Sequence, residues 1–326
     1  MKAIICTKYG PPSVLKINEI NKPIQKDDEV LIKIHASSIN SADHRTMLAK
    51  PFFVRFMGGG FLKPKKNVPG IDVSGVVEEI GNNVKEYKPG DKVFGDIYDS
   101  ETGAYAEYVC VNEKANIVKI PDGVTFEQAA ATPVAGLTAL QALRDHGKIK
   151  EGQSVLVNGA SGSVGTFTVL IAKALGAEVT GVCSTRNLDL VKSIGTDNVI
   201  DYKKDDFKKS GKKFDLIIDI AANIQAKDYI NLLKPKGTGI LVGFSTISHM
   251  MGIGLKGRKL EKKYGLTVKA MGSAKAKKED LTYLGEMISS GKIEPAIDRI
   301  YTLEETPEAM RYFHEEHARA KVVITT

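Results

Sequence analysis

The chain has 326 residues, of which 42% are hydrophobic and 26% charged, with a formal net charge of +7. This length predicts two domains, and the composition is that of a globular protein. No segment approaches the roughly 20 apolar residues that cross a bilayer, and the first residues lack the layout of a secretory signal. The three cysteines lie far apart, so neither a disulfide framework nor a structural zinc is expected, and a cytoplasmic location is favoured.

The excess of basic residues could indicate an acidic partner such as RNA or a membrane surface. Lysines are spread along the chain, with short pairs at residues 203–204, 208–209, 212–213 and 262–263. No basic stripe is interleaved with aromatic residues. The pattern therefore favours a solvated surface that attracts an anionic cofactor, and a nucleic-acid partner is not expected.

Short apolar runs separated by turns predict a strand-rich region from residue 1 to about 122. Pro89-Gly90-Asp91 and Pro121-Asp122-Gly123 are turn sequences, because proline fixes φ and glycine accepts positive φ. We interpret this region as a distorted β-barrel. Residues 50–67 carry aromatics, three successive glycines and basic residues, and two interpretations stay open: a lid over an apolar pocket, or a long loop that packs its own aromatics.

From Thr125 the pattern becomes helical, with predicted breaks at Pro133 and Gly136. Strands and helices then alternate, which predicts a doubly wound parallel sheet with ligands at the carboxyl ends of its strands. The tail mixes amphipathic helices with strands. The last apolar strand, residues 320–326, has no helical partner and is expected to return to the sheet of the first domain.

The clearest unit within this alternation is residues 154–187, a strand, a Gly/Ser-rich turn, a helix and a second strand. Its turn, Ala160-Ser161-Gly162-Ser163-Val164-Gly165, is a variant of the GxGxxG dinucleotide fingerprint with alanine at the first glycine position. Gly159 could supply the lost freedom, Gly162 would allow a pyrophosphate to approach, and Gly165 would let the helix pack closely. The helix N-terminus would then bind the phosphates. The alternative is a glycine-rich turn without a ligand.

Residues after the second strand indicate which dinucleotide is bound. An NAD site needs an acid there for the ribose 2′-hydroxyl. Instead Cys183 is followed by Ser184, Thr185, Arg186 and Asn187, a set of donors that suits the 2′-phosphate of NADPH. The alternative is that Arg186 is a solvated residue at a helix start.

Several motifs in family order resemble the medium-chain dehydrogenase/reductase superfamily, specifically its zinc-free quinone oxidoreductase-like branch. These motifs are VPGIDVSGVVEEIG (68–81), PGDKVFG (89–95), GAYAEYV (103–109), AATPVAGLTALQAL (130–143), the nucleotide unit (156–187) and the tail (293–325). The resemblance implies an α/β protein in which a GroES-like distorted β-barrel catalytic domain, residues 1–124 and 266–326, contains an inserted Rossmann doubly wound parallel-sheet domain, residues 125–265.

The resemblance also indicates whether this chain has the residues that bind zinc in related enzymes. Zinc alcohol dehydrogenases place a cysteine and a histidine where this chain has Asn40 and Ile71, and isoleucine cannot ligate a metal. The four-cysteine structural lobe is absent as well. His314 and His317 are spaced to share a metal on a helix, but their acidic neighbours favour a solvated face. No metal is therefore expected.

Without zinc, the resemblance implies that NADPH delivers hydride to a small apolar quinone or to the β-carbon of an enone or enal. Asn40 and Asp43 lie where the family has its site floor, and Asn40 could orient the substrate or the nicotinamide ribose. His44 and Tyr105 are further candidates for proton donation, and water is another proton source. The remaining family positions imply cofactor contacts at Thr138, Gly159, Ser161, Gly162, Ser163, Val164, Gly165, Ser184, Arg186, Asn187, Tyr202, Gly243 and Phe244.

Two residues depart from the family pattern, Ser163 in the loop and Ala320 before Lys321, where glycine is common; both are small, so tolerance is expected. Family members are commonly homodimers through edge strands of the Rossmann sheet. Quinone and enone reduction cannot be separated by sequence. A third alternative is an RNA-binding or structural protein that retains the fold.

Overall fold

A computed structural model describes residues 1–50, 52–55, 60–243, 247–316 and 318–326. The chain forms two compact units: residues 1–134, 276–291 and 297–326 make the first, and residues 135–275 and 292–296 make the second. The predicted boundaries at residues 124–125 and 265–266 stay predictions. Within the described ranges, no helix combines the length and the apolar character that crossing a membrane demands.

The amino-terminal part of the first unit is rich in strands, as its turn-punctuated sequence predicts. Its elements are β1 Lys2–Ile5, β2 Lys16–Glu19, β3 Glu29–Ser38, α1 Ser41–Leu48, β4 Asp72–Ile80, β5 Lys92–Asp96, β6 Tyr108–Asn112, β7 Asn116–Lys119 and α2 Phe126–Ala131. A short 3-10 helix, Phe52–Arg55, lies in the segment predicted as a lid or a loop. The prediction for residues 51 and 56–59 falls outside the described residues.

The second unit alternates strands with helices. Its elements are α3 Pro133–Gln141, β8 Ser154–Asn158, α4 Ser163–Ala174, β9 Glu178–Cys183, α5 Leu188–Ser193, β10 Asn198–Asp201, β11 Phe214–Asp219, α6 Asp228–Leu232, β12 Leu233–Leu241, α7 Ile247–Tyr264 and β13 Thr267–Ala270. The tail contributes α8 Lys278–Ser289, β14 Ile297–Thr302, α9 Thr306–Glu315 and β15 Lys321–Thr325.

The second unit contains a six-stranded parallel sheet in the order β10-β9-β8-β11-β12-β13. This is the dinucleotide-binding order, in which the first strand lies at the centre and the chain reverses direction across the sheet beside it. The reversal falls between β8 and β11. Strand β8 is almost fully buried along its length, as its apolar sequence predicts for a central parallel strand.

A seven-stranded sheet forms the first unit, with β14-β15-β3-β4-β5-β7 in order and β6 paired to β3. The final strand β15 pairs antiparallel with β3, so the predicted return of the chain end to this sheet is confirmed. Buried Val30, Ile32, Val73, Val93 and Val109 belong to the apolar core of the first unit. The predicted α/β fold, a β-barrel-like unit together with an inserted parallel sheet, is confirmed.

Two local predictions were wrong, and one helix was missed. Gly136 was expected to break a helix but lies inside α3, whereas Pro133 begins that helix, where its missing N–H has no cost. The pattern of AKDYINLLKPKG (226–237) predicts a helix over its whole length, but that helix ends at Leu232, because Pro235 and Gly237 favour the extended backbone of β12. Helix α1 was not predicted at all.

Candidate active site

Helix α1 places the two predicted catalytic residues within hydrogen-bonding distance of each other. Asn40 is its N-cap residue, and the Asn40 backbone N–H donates to Asp43 Oδ2 at 3.0 Å. This is half of a capping box, with the acid three residues after the cap. Both side chains are buried. The fold therefore ties the position of the Asp43 carboxylate to the start of the helix.

The Asn40 amide is held by protein groups. Its Oδ1 accepts from Lys321 Nζ at 2.9 Å, and its Nδ2 donates to Asp72 Oδ2 at 2.9 Å and lies 3.5 Å from Ser38 O. These contacts occupy both amide protons and one acceptor site. The Asn40 side chain is therefore held by three protein groups, and its predicted role towards the substrate or the nicotinamide ribose stays a prediction.

Asp72 and Lys321 form a completely buried ion pair with an Oδ2–Nζ distance of 3.2 Å. Asp72 also accepts hydrogen bonds from the Ser38 hydroxyl and, through Oδ1, from the Val134 backbone N–H at 3.1 Å. The sheet builds this cluster, since β3 pairs Ser38 with Asp72 and β15 lies on the other side of β3. The sequence analysis assigned no role to Asp72 or Lys321.

Burial raises the pKa of Asp43 from 3.8 to about 7, and the negative charge of Asp72 adds to the increase. The Tyr105 hydroxyl lies close by: it donates to Ser38 O at 3.3 Å and also hydrogen-bonds Asp43. Burial raises the pKa of Tyr105 well above its ordinary value. Asp43 can therefore hold a proton at neutral pH, whereas Tyr105 stays a neutral phenol.

The Asp43 carboxyl group lines a cavity of about 540 Å³ in the first unit. Apolar side chains form much of its wall: Met47, Pro64, Pro69 and Ile71. Charged side chains at the wall are Lys65, Lys66, Asp99 and Glu101. An acid of near-neutral pKa on an otherwise largely apolar wall is the arrangement that a proton-transfer site requires.

His44, another candidate proton donor, is less suited to that role. Its ring stacks on His314 with 4.1 Å between centroids, and it is absent from the cavity wall. Burial, and then the charge of His314, lowers the pKa of His44 to about 4. The imidazole is therefore neutral at pH 7. His317, the other predicted member of a histidine pair, lies outside the described residues.

The glycine-rich turn in the second unit joins β8 to α4. Gly159 has a φ of 93°, a backbone conformation that is strained for residues with a side chain. A Cβ on Gly165 would lie 2.1 Å from Gly159 O. Gly162 is the N-cap of α4 and provides no side-chain cap. Within the part of the chain that the structure describes, a Cβ on Gly162 would meet only Gly159 O, at 3.8 Å. The turn therefore has no room for a side chain at Gly165, whereas it leaves space beside Gly162.

Asn187 connects the turn to the end of β9. It is 94% buried, and its Nδ2 donates to Ser161 Oγ at 2.9 Å, while its Oδ1 is buried without a hydrogen-bond partner among the described residues. A buried polar atom without a partner is costly unless a ligand meets it. The open space at Gly162, the uncapped N-terminus of α4 and this orphaned oxygen together fit a dinucleotide with a hydroxylated ribose.

Asp201 was missed by the sequence analysis, which found no acid directly after β9. In the sheet, β10 places Asp201 beside Cys183. Its Oδ2 accepts from Thr185 Oγ1 at 2.7 Å and its Oδ1 from the Lys203 N–H at 3.0 Å. The hydrogen bond from Thr185 lowers the pKa of Asp201, which stays ionised. Parallel pairing of β9 and β10 is the signal that would have found it.

The other predicted cofactor residues lie at separate elements of the second unit. Ser184 precedes a 3-10 helix that contains Arg186, which is exposed, and Tyr202 is 51% exposed after β10. Ser163 and Val164 are the first residues of α4, and Thr138 is half-buried on α3. Gly243 follows β12, where a Cβ would lie 2.6 Å from Ile220 O, and Phe244 lies outside the described residues.

Metal-ligating side chains do not cluster among the described residues, and the prediction that no metal is bound stays a prediction. No group of three or more His, Cys, Asp or Glu side chains in that part of the chain is arranged to hold a metal ion. Ile71 lines the cavity, and Asn40 is bonded to Lys321 and Asp72.

A β-sheet unit with a buried acid at a cavity, together with a parallel sheet of dinucleotide-binding order, is consistent with the class of medium-chain oxidoreductases. Two family models match the chain: an alcohol dehydrogenase GroES-like domain over residues 26–122, and a domain described as zinc-binding dehydrogenase over residues 194–324.

Two relatives and one solved structure extend the match to the whole chain. The chain is 33% identical over 335 residues to 2-methylene-furan-3-one reductase of Solanum lycopersicum, covering 99% of this chain and 79% of that protein. It is 32% identical over 369 residues to a mitochondrial NAD(P)H oxidoreductase of Bos taurus, covering 99% and 89%. The quinone oxidoreductase structure from Coxiella burnetii aligns with a TM-score of 0.86 and 31% identity, covering 100% and 99%.

The chain belongs to the medium-chain dehydrogenase/reductase superfamily, in its quinone oxidoreductase-like branch. It is an oxidoreductase of an NAD(P)H-dependent family. The predicted family and the GroES-like assignment of the first region are thereby confirmed.

Proposed function

We propose that the protein is a zinc-independent, NADPH-dependent reductase that transfers hydride to a small apolar quinone. The observation that carries the proposal is the Asp43 carboxyl, with a pKa of about 7, on the wall of a largely apolar cavity. A flat conjugated ring suits apolar walls, and its reduction needs both a hydride and a proton. The quinone oxidoreductase of Coxiella burnetii, 31% identical, supports this choice of acceptor.

Asp43 is the proposed proton donor. Two-electron reduction leaves negative charge on an acceptor oxygen, and a protonated carboxyl close to that oxygen can neutralise it. The carboxylate left behind regains its proton from solvent through the cavity. The Asn40 N–H bond to Asp43 Oδ2 fixes the carboxyl in place, and the Asp72–Lys321 pair in turn fixes the Asn40 amide. Asn40, Asp72 and Lys321 thus act as positioning residues.

The reduced dinucleotide supplies the hydride when it is bound. Gly159, Gly162 and the first turn of α4 would hold its pyrophosphate, because the first N–H groups of a helix have no partner within it. Asn187 would face its ribose. Selectivity for NADPH is assigned to Arg186, because a guanidinium binds the 2′-phosphate of NADPH more strongly than it binds the 2′-hydroxyl of NADH. The two Asp201 oxygens are already bonded to Thr185 and Lys203, which supports a phosphate over a second hydroxyl.

An enone or enal is the alternative acceptor. The relative from Solanum lycopersicum is named as a reductase of a methylene furanone, a conjugated carbonyl compound. Hydride would then go to the β-carbon, and Asp43 would protonate the developing enolate. The same apolar wall and the same acid serve both reactions, so both acceptors belong in one assay.

Homodimerisation is proposed through an edge of the parallel sheet at β13, which is the last strand of that sheet among the described residues. Light scattering of the purified chain tests this, and a monomeric mass would reject it. A cytoplasmic location stays a prediction, since the relative from Bos taurus is mitochondrial.

The function is tested by NADPH oxidation at neutral pH with excess EDTA, against a 1,4-quinone and a simple enone in parallel. EDTA-resistant turnover of the quinone, faster than that of the enone, is the expected result. Faster enone turnover would instead favour the alternative acceptor. Tight NADPH binding without turnover of any acceptor would reject an enzymatic function and favour an RNA-binding or structural role, which salt-dependent RNA affinity would then support.

A further inference from the structure

An exposed apolar surface lies beside the cavity in the first unit. We name it the Phe61 surface and define it by Phe52, Arg55, Phe61, Leu62 and Lys63. Its three apolar side chains, Phe52, Phe61 and Leu62, are 58%, 58% and 82% exposed. Exposed aromatic and leucine side chains that cluster on a surface mark an interaction site more often than a feature of the fold.

Contacts within the protein hold this surface together. The Arg55 guanidinium lies 4.8 Å from the centroid of the Tyr9 ring and 5.0 Å from that of Phe52. Its Nη1 donates to Phe61 O at 3.4 Å, and the Tyr9 hydroxyl donates to Gly60 O at 2.5 Å. Arg55 thus contacts the Phe52 ring and the Phe61 backbone, which joins the two parts of the surface. Residues 51 and 56–59, outside the described ranges, carry no part of the argument.

The segment that carries the surface is basic, although Asp99 and Glu101 lie on the adjoining cavity wall. Residues 50–67 contain five cationic side chains and no acidic one. Three of the cations, Lys50, Lys63 and Lys65, are exposed. Apolar side chains that enter the headgroup layer and lysines that meet anionic lipids are the two components of peripheral membrane binding. An anionic bilayer complements both components.

The surface is continuous with the cavity wall. Pro64, Lys65 and Lys66 follow Lys63 directly, and all three line the same cavity as Asp43. A bilayer in contact with Leu62 and Lys63 would therefore lie next to the wall of the acceptor site. An apolar acceptor with a long alkyl tail, which is dissolved in lipid, would reach the cavity from that side.

We propose that the Phe61 surface docks peripherally on an anionic phospholipid bilayer, from which the adjoining cavity takes a lipid-dissolved quinone. The docking stands on the surface alone, whereas the choice of acceptor rests on the proposed function. Docking is tested by co-sedimentation of the full chain with phosphatidylcholine vesicles that contain or lack phosphatidylglycerol, at low and at high salt. Binding is expected only with phosphatidylglycerol and is expected to weaken in salt.

Two variants and two matched controls locate the contact. Leu62→Ser is expected to weaken vesicle binding roughly tenfold, and Lys63→Glu at least about fivefold. Neither residue lines the cavity, so both variants should reduce a short, water-soluble quinone at the wild-type rate in vesicle-free buffer. The controls are Ile24→Ser, at an 87% exposed isoleucine, and Lys212→Glu, at an exposed lysine of the second unit. Both controls should bind vesicles as the wild type does.

Wild-type vesicle binding by Leu62→Ser and Lys63→Glu would overturn the proposal, as would equal binding to neutral vesicles. A change of oligomeric state in Leu62→Ser, without any vesicle binding by the wild type, would assign the surface to a second copy instead. Reduction of a long-tailed quinone in anionic vesicles should fall in parallel with binding in the two variants. Failure of the proposed function is distinguishable, because it abolishes turnover in vesicle-free buffer and leaves vesicle binding intact.

Discussion

The Lys321 ammonium nitrogen lies 3.2 Å from Asp72 Oδ2, and neither side chain has any exposed surface. Two charges removed from water are stabilised only if they are paired and their remaining hydrogen-bonding groups are satisfied. Here Ser38, Asn40 and the Val134 N–H complete the set around Asp72. The pair therefore links the last strand of the chain to the start of the helix that carries Asp43.

Replacement of one member of this pair should be costly. Lys321→Met leaves the Asp72 carboxylate buried without its cation and is expected to lower the free energy of unfolding by about 3–5 kcal/mol. Denaturant unfolding measures this. The double variant Lys321→Met/Asp72→Asn removes both charges and should recover much of the loss. A single variant as stable as the wild type would show that the pair does not hold the cluster together.

The dependence of turnover on pH should report Asp43. A donor must be protonated, and the pKa of Asp43 is about 7, so kcat should fall roughly tenfold per pH unit above that value. Asp43→Asn keeps the shape but cannot donate, and it should lower kcat and remove the falling limb. His44→Gln is the matched control, because the pKa of His44, about 4, lies outside this range. A falling limb that persists in Asp43→Asn would exclude Asp43 as the donor.

Asp43 and its neighbour His44 should influence stability with opposite signs. The folded pKa of Asp43, about 7, lies above its ordinary 3.8, so its contribution is complete below pH 3.8 and is lost as pH rises to 7. The folded pKa of His44, about 4, lies below its ordinary 6.5, so stability is lost as pH falls from 6.5 towards 4. Relative to wild type, Asp43→Asn should gain stability as pH rises, and His44→Gln as pH falls. Urea unfolding across this window measures both, and the same sign for both variants would contradict the assignment.

Replacement of Arg186 should weaken the binding of NADPH much more than the binding of NADH. Loss of a charge-assisted hydrogen bond to a 2′-phosphate costs about 1.5–3 kcal/mol, so Arg186→Ala is expected to weaken NADPH binding roughly 10- to 100-fold. NADH binding should change little, because a hydroxyl gains less from a guanidinium. Lys212→Ala controls for general charge. Equal weakening of both dinucleotides would assign Arg186 to another part of the cofactor.

The features that could be predicted from the sequence are those that a local residue pattern determines. Apolar runs of strand length, the helical stretch after Gly162 and the turn sequences led to the α/β fold, because short-range preference and tertiary packing agree there. Glycine is common in the family at the position before Lys321, and the backbone explains why: Ala320 adopts a φ of 48°, in the left-handed region that glycine accepts most easily. Helix α1 had a local signal too, in Asn40 followed three residues later by Asp43, but that spacing was interpreted only as a family position.

The features that were not predicted depend on contacts between residues that are far apart in the sequence. Lys321 is 249 residues from Asp72 and 281 from Asn40, and only the order β15-β3-β4 brings them together. A lysine near the chain end is ordinarily assigned to the surface. Asp201 was missed for a similar reason, because the strand beside β9 supplies the acid. The raised pKa of Asp43 likewise depends on burial, which spacing along the chain does not reveal.

Two glycines in the same turn should fail in different ways when changed to alanine. At Gly165 the added methyl would lie 2.1 Å from Gly159 O, so the turn must shift, and the protein should lose about 1–3 kcal/mol of stability. At Gly162 the backbone is extended, and the one atom of the described residues within 4 Å of an added Cβ is Gly159 O, 3.8 Å away, so stability should stay within about 0.5 kcal/mol. That methyl would nevertheless fill the space proposed for the pyrophosphate. Gly162→Ala is therefore expected to fold normally and lose dinucleotide binding, as measured by thermal unfolding and by NADPH fluorescence titration. Wild-type affinity in Gly162→Ala would place the pyrophosphate elsewhere.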